Sequence, residues 1–163
     1  MEVSVVKQAL FAIFLVLAIQ TLMVEAASAE NKPNIAHVMW SAFSCAAYAE
    51  MSGNKQEQER LFKIGYDAGR AFVDGVKNKT ITEAETKGAP IGVLMLMGGP
   101  TTDFIIGRIF ESATADAYDK VVKEDSAGLP IIDSSEWADD KLRVIRAKNK
   151  YQSSNCALIR ARP

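Results

Sequence analysis

The 163-residue chain has one histidine, His37, and only two cysteines, Cys45 and Cys156. Zinc sites draw on clustered His, Cys and carboxylates, so a chain this poor in both is not expected to hold one. No cofactor is expected either. There is no G-x-S-x-G elbow and no G-x-G-x-x-G run. The stretch GGPTTDFIIGR, residues 98 to 108, looks at first like a phosphate loop. A Walker loop needs Lys and then Ser or Thr after its last glycine, and here Gly99 is followed by Pro100 and Thr101. A net charge of −1 lacks the basic excess that marks nucleic-acid binders. Period-two alternation of apolar and polar residues is missing, which argues against half-buried strands. No internal repeat or low-complexity segment interrupts the chain.

Catalysis finds little support in what remains. His37 and Cys45 are eight residues apart, which on one helix is about 12 Å along the axis. A nucleophile and its base need about 3 Å. Glu50, Asp67 and Asp103 offer carboxylates, but nothing in their spacing sets them apart from a solvated surface. The chain is not expected to be an enzyme.

The N-terminus carries a destination. Ala9 to Val24 is apolar apart from Gln20 and Thr21, and Glu25 and Ala26-Ala27-Ser28-Ala29 follow it. Ala27-x-Ala29 has the form of a signal-peptidase site, so residues 1–29 read as a signal peptide and residues 30–163 as an exported domain, periplasmic or extracellular. The run falls short of the roughly 20 residues of a membrane span, so none is expected after cleavage. A retained N-terminal membrane anchor is the alternative. Residues 30–163 suit a single domain with one core, and their acids and bases are equal in number. Distribution is uneven: residues 141 to 163 hold seven bases and no acid, forming a basic C-terminal tail.

An exported domain with two cysteines predicts one disulfide, Cys45–Cys156. Closing so long a loop stabilises a fold by about 4 to 5 kcal/mol in the chain-entropy model. The remaining patterns are helical. Asn34 precedes a first helix ending at Ser52-Gly53, whose Ala42, Ala46 and Ala49 form a thin face. Asn54 with Glu57 opens a second over about 55–77, with a stripe of Leu61, Ile64, Ala68, Phe72 and Val76. Gly65 and Gly69 within it suggest close approach by the first helix. TITEAETKGAP reads as a turn and IGVLMLM as a short buried helix. A helix from Thr101 or Thr102 to about Glu124 turns Ile106, Ile109, Phe110, Ala113, Ala117 and Val121 inward. Asp133 with Glu136 opens a last helix over about 134–151, carrying Trp137, Leu142 and Ile145. The expected fold is all-α: a single small bundle of four to five helices with one disulfide.

One surface stands out. Phe104 and Arg108 fall on the outer side of the helix from Thr101 or Thr102 to about Glu124, with Glu111 in pairing reach of Arg108. Arg and aromatic residues are enriched in binding hot spots, so Phe104, Arg108 and Glu111 are the candidate contact residues for another protein. The expectation is an exported protein-binding or inhibitor-like module. The alternative is a carrier of a small apolar ligand between helices, with GVLMLMGG as a wall.

Overall fold

The computed structural model describes residues 34–161. The signal peptide read over residues 1–29, its cleavage point and Arg162 of the basic tail lie outside the described residues. Six helices follow in order: α1 (Ile35–Met51), α2 (Lys55–Lys77), α3 (Glu83–Lys87), α4 (Ile91–Met95), α5 (Thr102–Val122) and α6 (Asp140–Ser153). Four are long and two are little more than a turn. Among the described residues the only β pairing is an isolated bridge between Glu124 and Pro130.

Polar side chains set the helix starts. Asn34 accepts from the Ala36 amide, Asn54 from Glu57 and Thr101 from Phe104, each satisfying an amide that a helix start leaves unpaired. Gly53 closes α1 at φ +79, a conformation that suits glycine and frees the chain to reverse into α2.

α1 is the centre of the bundle, touching α2, α5 and α6. Its residues Ala42 to Ala49 are all buried, so the expected thin alanine face is in fact a helix covered on every side over two turns. One half of α1 packs Met39 and Phe43 against Phe72, Val73 and the α5 residues Ile105, Ile106 and Ile109. Its other half packs Cys45, Tyr48 and Ala49 against Leu61, Val121, Ala147 and Cys156. The α2 glycines serve this packing. A Cβ at Gly65 would stand 2.6 Å from the Phe43 ring, and one at Gly69 would stand 2.9 Å from Met39 Sδ. The close approach is therefore by α1 side chains rather than by its backbone.

Three local expectations are corrected. TITEAETKGAP is not merely a turn, since Thr82 and Glu85 form a reciprocal capping box that starts α3. IGVLMLM does form a short helix, but of α4 only Val93 is buried, while Ile91 and Met95 point outward. The last helix begins at Asp140, capped by Asp139, whereas Asp133 caps only a single 3-10 turn over Ser134–Glu136. That later start leaves Trp137 outside the helix. Leu142 and Ile145 are exposed, and of α6 only Ala147 is buried.

The expected disulfide is present, with Cys45 and Cys156 Cα atoms 5.6 Å apart at a sequence separation of 111. It ties the C-terminal segment to α1. Arg60 supports it from α2, donating to the carbonyls of Ile159 at 2.6 Å and Cys156 at 3.3 Å.

Candidate functional site

The loop at 98–101 and the start of α5 form one unit. Gly99 lies on the Phe104 ring so closely that a Cβ there would come within 2.5 Å of it. Arg108 turns back toward the helix start and donates to the Gly98 carbonyl at 2.7 Å, its guanidinium 5.8 Å from the Phe104 ring centroid. Long side chains on a helix lean toward its N-terminus, and the unpaired Gly98 carbonyl waits in that direction. The expected Arg108–Glu111 pair is consequently not made. Phe104 remains half exposed, covered on one side by the loop.

The rest of the outer face of α5 continues from there. Phe104, Arg108, Glu111, Ser112 and Ala115, with Leu96 beyond α4, line a shallow groove. Glu111 and Ala115 also belong to the next groove along, where Tyr118 of α5 faces Ala47, Glu50 and Met51 of α1. Ala47 and Glu50 in turn border a third, of about 240 Å³, between α1 and α2. Its walls are Phe62, Phe110, Gln58 and Glu59, and Ala46 forms the floor with Ala47. Shared residues join the three into one surface across α2, α1 and α5.

Aromatic rings organise the α1–α2 end. Phe62 and Phe110 meet edge to face at 5.3 Å and 90°, and both rest on the buried Phe43, at 6.0 and 5.2 Å. Tyr66 stacks on Phe62 at 6.3 Å. Such pairing holds the rings in place, yet Phe62 stays 43 % exposed. Phe62, Glu50 and Glu59 do not emerge as contact residues from the sequence. The available signal is an aromatic residue beside, not on, the Leu61–Ile64–Ala68 stripe. Phe110 reads as core, and half of its environment is.

Most carboxylates among the described residues have a partner, including Asp119, which pairs with Lys123 beside the second groove. Ion pairs engage Glu57, Asp67, Asp74, Glu83, Asp103, Asp116, Asp119 and Asp140. Asp125, Asp133 and Asp139 accept from nearby backbone amides. Among the described residues Glu124 and Glu136 do neither, and the same holds for the trio Glu50, Glu59 and Glu111. All three flank the joined grooves and are exposed.

Two further polar groups are structural. Tyr66 donates to Asp103 at 2.9 Å, Thr102 to Asp74 at 2.6 Å, and Arg70 bridges the two acids, which fastens the start of α5 to α2. Glu57 accepts from Nε and Nη2 of Arg60, each at 2.8 Å, and from the Tyr151 hydroxyl. This holds the Glu57 carboxyl below its usual range, the Arg60 bonds contributing most and Tyr151 next. The remaining catalytic candidates disperse. Cys45 is in the disulfide, and the imidazole Nε2 of His37 lies 2.8 Å from the Gly88 carbonyl. Among the described residues no three His, Cys or carboxylate side chains converge as metal ligands, and no helix is long and apolar enough to cross a membrane.

Comparison with protein-family models, curated proteins and solved structures finds no match to this chain.

Proposed function

We propose that the protein is an exported binding module that engages another protein through the surface formed by α2, α1 and α5. One observation carries the reading: a half-exposed aromatic cluster, Phe62 on Phe110, opens onto a groove continuous with the Phe104–Arg108 end. Rigid, partly exposed rings beside a concavity are what hot spots are made of, because little side-chain entropy is lost when a partner covers them. The disulfide supports export, since such bonds persist in oxidising compartments. It also suits a small rigid scaffold whose binding surface lies on helices rather than loops.

Capture with the tagged protein from the compartment outside the cytoplasm tests the reading, using Phe104→Ala and Arg108→Ala. Each substitution is expected to weaken capture by about 1 to 4 kcal/mol with little change in folding stability. Phe104→Ala instead destabilising the fold by about 3 kcal/mol, with capture unchanged, would assign Phe104 to packing and end its place in the binding surface.

A further inference from the structure

We infer that the groove between α1 and α2 receives a cationic segment of the partner, with one large apolar side chain seated between Phe62 and Phe110. This rests on the protein-binding reading and adds the chemistry of what is bound. Three features of the groove lead to it.

The first is shape. Ala46 and Ala47 leave the floor without bulk, and the space above them takes one aromatic or long aliphatic side chain. The second is apolar area. Phe62 gives its exposed face to the groove, and its ring is held by Phe110, Phe43 and Tyr66. Water removed from such a wall contributes favourably in proportion to the area covered. The third is charge. Glu50 and Glu59 flank the groove and Glu111 stands on the adjoining one, all without ion pairs, whereas most other acids among the described residues are held by a cation or a backbone amide, Glu124 and Glu136 being the exceptions. Lysine or arginine side chains flanking an apolar anchor would meet these carboxylates. Complementary charge of this kind speeds encounter and rejects acidic partners.

The same carboxylates argue against other occupants. An anionic membrane leaflet or a nucleic acid would meet like charge here. The three acids do not converge tightly enough to hold a metal ion.

Fluorescence anisotropy tests the inference, with a labelled amphipathic peptide of lysine and leucine carrying one tryptophan. A second peptide has glutamate in place of lysine. The lysine peptide is expected to bind saturably and more weakly as salt rises. The double variant Glu50→Gln/Glu59→Gln is expected to bind it about tenfold more weakly, as is Phe62→Ala. Glu124→Gln/Glu136→Gln removes equal charge elsewhere and should leave affinity unchanged. The glutamate peptide should not bind.

Equal losses in the two double variants would show diffuse attraction only and overturn the inference, as would the absence of saturable binding. Sedimentation showing self-association that Glu50→Gln/Glu59→Gln abolishes would make a second copy the occupant, which also overturns it. Should Phe62→Ala fail to fold, the glutamate-to-glutamine pair still decides. Partner capture that survives Glu50→Gln/Glu59→Gln but is lost in Arg108→Ala removes this inference and leaves the protein-binding reading standing.

Discussion

Glu57 shows how much one side chain can hold in a small protein. Its carboxylate takes two bonds from Arg60 and one from Tyr151, and Arg60 in turn grips the carbonyls of Cys156 and Ile159. The group thus joins α2, α6 and the chain end. Because folding lowers the Glu57 pKa from its ordinary 4.5, the folded state favours the ionised form. Its contribution is complete above the unfolded value and is lost as pH falls through the folded one. Glu57→Gln is therefore expected to lower the melting temperature at neutral pH, and the gap to the native protein should narrow between about pH 5 and 3. Thermal melts across that range check it. A gap independent of pH would mean that charge at Glu57 does not contribute. Arg108 teaches a different lesson at this scale. Spacing put Glu111 within its reach, but a free carbonyl on the preceding loop took the guanidinium instead.

Along the helices, two glycines in similar sequence settings behave in opposite ways. Gly65 faces the Phe43 ring, which is itself wedged between Phe62 and Phe110 and cannot yield. Gly65→Ala should gain about 1 kcal/mol of helix propensity and lose more to overpacking, typically 1 to 3 kcal/mol. Gly107 on α5 has nothing within 4 Å of where a Cβ would stand. Gly107→Ala should therefore stabilise the protein by about 0.5 to 1 kcal/mol. Opposite shifts in the midpoint of urea unfolding would bear out the pair, and two shifts of one sign would contradict it. The element boundaries tell a parallel story. α2 was legible to the residue because Asn54 caps it and its apolar stripe is unbroken. α6 was not, because Asp133 and Asp139 both cap, and bonds from the Ala138 amide to the Val122 carbonyl and from the Trp137 indole to the Ile131 carbonyl hold that stretch outside the helix.

For the whole molecule, the disulfide is the covalent link that ties the C-terminal segment to the centre, beside the Arg60 hydrogen bonds. Cys45 lies in the most enclosed stretch of α1, and Cys156 is fully buried against it. Cys45→Ser is expected to destabilise the protein by about 2 to 5 kcal/mol, by releasing an unfolded-state constraint that spans most of the domain. Calorimetry reads the loss. Hydrogen exchange should show amides near residues 154–161 opening first, ahead of α2 and α5. Unchanged exchange in that segment would show that the Arg60 clamp alone holds it.

Composition and pattern by themselves determined the helical class, the disulfide pairing, the caps of α1, α2 and α5, and the inward stripe of α5. These are local or forced: a cap needs one residue in one place, a stripe needs only its period, and two cysteines admit one bond. Phe104 and Arg108 were also legible as outward residues. What only the tertiary structure decided is which outward residues belong together. Phe62, Glu50 and Glu111 come from three helices, and they share a surface because α1 runs central and places Ala46 and Ala47 on the floor between Phe62 of α2 and Phe110 of α5. No spacing within one helix encodes that meeting, since it depends on how ridges of one helix settle into the grooves of another.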